Sequence, residues 1–183
     1  MKTLTKEQAY EILAEYGTPP HVIAHCEAVA RVAERVGIEL NKKGFDLDVE
    51  LAATAGLLHD MARIHDDHQR VAAEWLRERG YDRHADIIAV HMNYPAFNKA
   101  SETNETDLVC LGDRVCIEGS YAGVDQRFDY IINKAKNHAP SHIPIIESKR
   151  SAMKEYIKDL EEIMGIPLDD LMKEDQEAAS RNK

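Results

Sequence analysis

The residues best suited to chemistry are a histidine and an aspartate that follow an apolar run. His59 and Asp60 come directly after Leu57 and Leu58, at the end of the most apolar predicted helix. Neighbouring residues of a helix point about 100° apart, so these two side chains cannot simply bond each other. Burying either of them without a partner would cost free energy. A metal ion beside the helix end would satisfy both, whereas the alternative is a His-Asp pair exposed to water.

Three further polar side chains lie at helix positions whose neighbours are apolar: His25, His91 and Asp113. Each histidine, taken alone, is better explained as a core residue with a hydrogen-bonded ring. A buried aspartate is rarer, because carboxylates are seldom fully buried unless they are paired or bind metal. Together with His59 and Asp60, these residues place potential ligands on several predicted helices. This pattern favours one shared metal centre.

The order of these residues resembles the signature of the HD superfamily of metal-dependent phosphohydrolases. The signature is a histidine, a His-Asp pair and a later aspartate, which here are His25, His59, Asp60 and Asp113. The closest likeness is the segment GLLHDMAR (56–63), which is similar to the buried helix of the family. The resemblance therefore implies an all-helical fold and a metal-dependent hydrolase.

Two more histidines match the extended form of the signature, which binds two metals. His68 lies in DHQRVAAEWLRERG (67–80), which is similar to the family segment after the His-Asp pair. His91 lies in IIAVHM (87–92), where the family has its next ligand. The resemblance extends over about residues 20–130.

The resemblance implies a ligand set and a mechanism. One ion would be held by His25, His59, Asp60 and Asp113, and a second by His68 and His91, with Asp60 bridging the ions as the catalytic residue. The cofactor would be one or two divalent transition-metal ions, from among Fe, Mn, Zn, Ni and Co, since these ligand types do not select one metal. A metal-activated water would attack a small phosphorylated substrate. A nucleotide is the preferred class of substrate, by analogy with the family.

Two arginines are candidates for binding the phosphate. The family often has Ile-Gly-Lys after the His-Asp pair, whereas this chain has Met61, Ala62 and Arg63. Arg63 keeps the positive charge, and a guanidinium can hold two phosphate oxygens at once. Arg127, near the end of the similar region, is the second candidate.

Three alternatives stay open at this point. HD-type diiron oxygenases use the same six ligands, and a sensor that binds a nucleotide or metal without turnover would also keep them. The third alternative is a helical domain whose histidines are structural, which would bind no metal. His84 is a rival metal ligand, because it lies seven residues before His91 on the same predicted helix face. Its place in the first turn after Gly80 favours the surface instead.

The elements that would position these ligands are helices. Apolar residues recur at helical spacing, which predicts an all-α fold, a bundle of about seven to eight helices in a single domain over residues 1–183. The family-like core spans about residues 20–130, and a frayed polar tail begins at about residue 173. No segment of useful length has the period of a β-strand. The helices expected to carry ligands run from Thr18 to Gly44, Asp48 to about Arg63, Asp66 or Asp67 to Gly80, about Asp82 to Met92, and about Glu105 to Ile117.

Composition limits the partners. The net charge of −10 and the pI of about 5.4 disfavour a nucleic-acid polymer, because binding its phosphates requires a basic face. No apolar run is long enough to span a membrane. The first residues are polar and the three cysteines form no CxxC pair, which predicts a cytoplasmic location. The sequence gives no oligomeric state.

Overall fold

The computed structural model describes residues 3–94 and 96–181, and these residues are almost entirely helical. They form nine α-helices and a two-stranded antiparallel sheet. The helices are α1 (Lys6–Tyr16), α2 (Pro20–Asn41), α3 (Val49–Leu58), α4 (His68–Arg77), α5 (Asp82–Val90), α6 (Glu105–Val115), α7 (Gly123–His138), α8 (Ile143–Met164) and α9 (Leu168–Arg181). The predicted all-α class is confirmed, with nine helices in place of seven or eight. None of the helices described is long and apolar enough to cross a membrane.

The most apolar helix, α3, lies at the centre of the molecule. Every residue from Leu51 to Leu58 is buried, and the helix contributes to both clusters of buried apolar side chains. The Asp48 carboxylate caps its start by accepting a hydrogen bond of 3.0 Å from the Leu51 N–H. The helix ends at Leu58 rather than at the expected Arg63, since the next residues form turns. His59 and Asp60 are therefore the first two residues of the turns that follow α3.

Two glycines bring α3 and α6 against α2. A Cβ atom on Gly56 would lie 2.9 Å from the Cα atom of Ala30, and one on Gly112 would lie 2.7 Å from the carbonyl oxygen of Val29. Real Cβ atoms do not approach backbone so closely, so glycine is required at both positions. Because Val29 and Ala30 are adjacent, α3 and α6 contact α2 at the same level.

A short hairpin ends α6. The helix stops at Val115 and does not continue to Ile117, because strand β1 (Cys116–Ile117) pairs with strand β2 (Ser120–Tyr121). Two-residue strands have no alternating pattern, which is why the sequence did not reveal them. Glu118 lies in the turn with φ +51°, and its carbonyl oxygen is 3.2 Å from Nδ1 of His25.

Two helix ends differ from the sequence pattern. Asp67 stands immediately before α4, as predicted, but its backbone lies in the left-handed region, with φ +55°, and its side chain does not cap the helix. The expected frayed tail is helical instead, since α9 continues to Arg181. Asp175 of α9 lies 3.7 Å from Nε of Arg31 and 3.5 Å from Nε of Arg35. These ion pairs attach α9 to α2. Pro95, in the predicted surface loop, lies outside the described residues.

His84 is buried, contrary to the expectation of a surface position. It is 0% exposed, and its Nε2 lies 2.9 Å from the hydroxyl oxygen of Thr54. The Thr54 hydroxyl donates its hydrogen to the Glu50 carbonyl at 2.7 Å, so it accepts the hydrogen bond from His84. Nδ1 of His84 then carries the lone pair, and it has no hydrogen-bond partner among the described residues. Burial first, and the nearby Arg83 second, lower the pKa of His84 to about 4.

Replacing Gly112 with alanine should destabilise the protein. The new Cβ atom would meet the Val29 carbonyl at 2.7 Å, and backbone cannot shift as easily as the end of a side chain. We expect a loss of about 1–3 kcal/mol in the free energy of unfolding, measured by urea denaturation. Gly37→Ala is the control, because its Cβ atom would meet only side-chain atoms of Val49 and Leu108, at 3.1 and 3.2 Å. Equal stability of the two variants would contradict the close approach of α6 to α2.

The buried His84 should make stability depend on pH. Its pKa is lowered from 6.5 to about 4 in the folded protein, so the unfolded chain takes up a proton first as the pH falls. The stability that neutral His84 provides is complete above pH 6.5 and is lost as the pH falls towards 4. We expect the difference in unfolding free energy between the wild type and His84→Gln to narrow over this range, by on the order of 3 kcal/mol. If the difference in unfolding free energy stayed constant with pH, it would contradict a buried neutral ring at His84. His138→Gln, at an exposed site on α7, is the control.

Candidate metal centre

The ends of several helices converge on one point in the interior. The predicted ligands all lie there: His25 within α2, His59 and Asp60 just after α3, His68 as the first residue of α4, His91 just after α5, and Asp113 within α6. The imidazole rings form a continuous row, with centroids 5.2 Å apart for His25 and His59, 5.1 Å for His59 and His91, and 5.4 Å for His68 and His91. Side chains from five helical regions are therefore in mutual contact.

The first group of potential ligands surrounds one oxygen of Asp60. Its Oδ1 atom lies 3.0 Å from Nε2 of His68 and 3.4 Å from Nε2 of His91. The ligand atoms of these three residues lie within 4.8 Å of one another, and all three residues are buried. This arrangement could hold a metal ion.

The second group of potential ligands includes the other carboxylate oxygen of Asp60. Oδ2 of Asp60 lies 3.8 Å from Nε2 of His59, and the ligand atoms of His25, His59 and Asp60 lie within 4.8 Å of one another. Asp113 adjoins two members of this group. Its Oδ1 atom lies 3.2 Å from Nε2 of His25 and 4.0 Å from Nε2 of His59. Asp60 is thus the residue common to both groups.

Backbone carbonyls orient the imidazoles. Nδ1 of His59 lies 2.8 Å from the carbonyl oxygen of Gly56, and Nδ1 of His91 lies 2.7 Å from that of Ile88. Each ring therefore donates its Nδ1–H to the residue three positions earlier, which leaves the Nε2 lone pair directed at the centre. Such outer hydrogen bonds fix the tautomer of histidines that bind metal.

The arrangement leaves polar atoms without hydrogen-bond partners, and this supports a cation at the centre. Nε2 of His59, Nε2 of His91 and Oδ1 of Asp60 are buried with no hydrogen-bond partner among the described residues. Buried polar atoms without a partner are costly and therefore rare. Lone pairs and a carboxylate oxygen cannot satisfy one another, whereas a divalent ion would bind all three. The residues present fit a metal ion.

The protonation states also suit a metal. Burial lowers the pKa of His59 to about 4, so its ring is neutral at physiological pH. Burial alone would raise the pKa of each carboxyl group, but the imidazoles facing Asp60 hold its pKa well below the usual range. The same is true of Asp113, through its hydrogen bond with His25 and the nearby Arg127. Neutral imidazole and ionised carboxylate are the forms that bind transition metals.

Both arginines predicted to bind phosphate lie at the centre. Nη1 of Arg63 is 3.6 Å from Oδ1 of Asp60, and the side chain is 49% exposed. Nη2 of Arg127 is 3.2 Å from Oδ1 of Asp113, while its Nε donates to the Asp113 carbonyl at 3.1 Å. Arg127 therefore holds Asp113 in place as well as carrying a positive charge.

A cavity of about 910 Å³ opens onto these groups. Its walls include basic residues that the sequence analysis did not single out, namely Arg114, Lys134 and Lys149. Arg127, Tyr130, Ile131 and Lys134 share one face of α7 by helical spacing, and this signal was available in the sequence. The rival ligand His84 belongs to neither potential metal group.

Comparison with known proteins agrees with this geometry. The chain is 40% identical over 72 residues to an uncharacterized protein of Methanocaldococcus jannaschii, and the match covers 38% of this chain and 43% of that protein. No solved structure matches the chain significantly. The HD domain family model matches residues 22–116, which is 95 of the 183 residues and includes every predicted metal ligand. The protein therefore belongs to the HD domain family, whose members are in general metal-dependent phosphohydrolases.

Proposed function

We propose that the protein hydrolyses a small phosphate ester at a two-metal centre. The carboxylate of Asp60 carries this proposal, because one oxygen faces His68 and His91 while the other faces His59. One ion would be held by His25, His59, Asp60 and Asp113, and the other by Asp60, His68 and His91. The donor set suits Fe, Mn, Zn, Ni or Co.

When bound, such ions lower the pKa of a water ligand and neutralise charge on phosphoryl oxygens. The residues of the chain prepare the site for this chemistry. The low pKa of Asp60 keeps its carboxylate ionised, so it acts as a ligand and does not compete as a proton donor. In the reaction the oxygen of water bonds to phosphorus, the ester P–O bond breaks, and a proton from the water ends on the leaving oxygen.

The two arginines would bind the phosphate. Arg63 is half exposed beside Asp60, so its guanidinium can turn towards a phosphate in the cavity without leaving the site. Arg127 is only 17% exposed and is held by Asp113, so it would supply a fixed positive charge. A guanidinium binds two phosphate oxygens in parallel, which a lysine cannot do.

A nucleotide is the class of substrate that we propose. The cavity of about 910 Å³ has the size of a typical small-molecule site. It also combines apolar walls with basic residues, as a base and a phosphate would require. The choice of a nucleotide rests on analogy with the family.

Replacing Asp60 with alanine should abolish hydrolysis and release metal, because it removes the shared ligand. We expect activity to fall by more than the roughly 10–100-fold that loss of an outer hydrogen-bond partner costs. The measurement is phosphate release from p-nitrophenyl phosphate and a nucleotide panel with added Mn²⁺, with circular dichroism to check that the helices remain. Asp46→Ala is the control, at an exposed aspartate outside the metal centre. Hydrolysis that survives in Asp60→Ala would refute the mechanism. Oxygen consumption by the iron-loaded intact protein, without phosphate release, would indicate oxygenase chemistry instead.

The two groups of ligands should be separable by metal analysis. We expect two equivalents of metal in the intact protein, and one equivalent in both His68→Ala and His91→Ala, since each of these residues belongs to only one of the groups. Elemental analysis by mass spectrometry after dialysis gives the count. His138→Ala, at an exposed histidine, should retain both ions. A single equivalent in the intact protein would contradict the two-metal centre.

A further inference from the structure

The cavity extends along α7 beyond the arginine that contacts the metal centre. Arg127, Tyr130, Ile131 and Lys134 all line it, as expected of residues that share one face of a helix. Arg127 is at the inner end, 3.2 Å from Asp113. Lys134 follows two turns later, at about 10 Å along the helix axis. This face of α7 therefore presents two positive charges with a gap between them.

The gap is filled by an aromatic ring. Cζ of Arg127 lies 5.9 Å from the ring centroid of Tyr130, and Nζ of Lys134 lies 4.3 Å from the same centroid. The ammonium group of Lys134 thus reaches back towards the metal centre along the cavity wall. Val22 and Ile146 also line the cavity, so apolar side chains stand in its wall together with these charges.

The positive charges in the outer cavity are not neutralised by the protein. Arg114, Lys134 and Lys149 line the cavity, and none has a carboxylate partner among the described residues. In this chain of net charge −10, nine of the arginines whose side chains the structure describes form ion pairs, and Arg114 forms none. The cavity contains three carboxylates, Asp60, Asp113 and Glu118, and the first two belong to the proposed metal centre. A single phosphate at that centre would leave the outer charges without a counterion.

We infer that the ligand carries a second anionic group, which binds Lys134 and Lys149 in the part of the cavity beyond Arg127, and an apolar portion that contacts Tyr130. The location of the cleaved phosphate rests on the proposed function. The class of substrate is therefore an organic phosphate with a second phosphate or carboxylate, and a simple monoester lacks one of the groups that the cavity accommodates. The second group would form charge-assisted hydrogen bonds with both lysines.

The inference can be tested with α,ω-alkane bisphosphonates of graded length and with alkyl monophosphonates of the same length. Calorimetry on the metal-loaded, full-length protein measures their binding without turnover. We expect the best bisphosphonate to bind roughly 10-fold or more tightly than its matched monophosphonate. The double variant Lys134→Gln, Lys149→Gln should lose this preference and leave monophosphonate binding unchanged. Lys43→Gln, Lys136→Gln changes the net charge equally, at exposed lysines outside the cavity, and should keep the preference.

Two outcomes would overturn the inference. One is equal binding of the two ligand types by the intact protein, and the other is a preference that persists in the Lys134 and Lys149 double variant. Failure of the proposed function looks different, because no phosphate ester would then be hydrolysed by the metal-loaded protein, whichever ligand it prefers. Hydrolysis of p-nitrophenyl phosphate should in turn be retained by the double variant, since neither lysine belongs to the proposed metal centre.

Discussion

Burying two carboxylates among imidazoles in an apolar interior is the constraint on which the structure depends. Asp60 and Asp113 stay ionised, since the pKa of each is held low, while burial keeps His59 neutral. The neutral ring of His59 contributes a lone pair and no charge, so it cannot offset the two negative charges. Arg63, beside Asp60, and Arg127, beside Asp113, offset part of this negative charge from the edge of the site. The unpaired atoms at the centre all face inward, and a divalent ion is the partner that would stabilise them.

The fold positions these ligands close to points where the backbones of neighbouring helices are in direct contact. His59 follows Gly56 by three residues and Asp113 follows Gly112 directly, and both glycines contact α2. His25 is on α2 itself, one turn before those contacts. Three ligand-bearing helices are therefore fixed to one another by backbone contacts, which vary less than contacts between flexible side chains. The preorganisation that metal binding requires comes from this packing.

Much of this arrangement could be predicted from the sequence, because it rests on local patterns. Apolar periodicity identified the helices, and the ordered ligand types identified the centre. What could not be predicted depends on contacts between distant parts of the chain. His84 looked exposed because its partner, Thr54, is 30 residues away. The tail beyond residue 173 looked frayed because the arginines of α2 that pair with Asp175 are remote in sequence. The hairpin after α6 was too short to produce a pattern.

The metal centre and the outer cavity come from different parts of the chain. All six predicted ligands lie within residues 22–116, which the family model matches, whereas Arg127, Lys134 and Lys149 lie beyond that range on α7 and α8. On the proposed function, the family segment would supply the metal ligands, and the later helices would supply the charges that select a substrate. Arg127 links the two parts, since it holds Asp113 and begins the basic wall of the cavity.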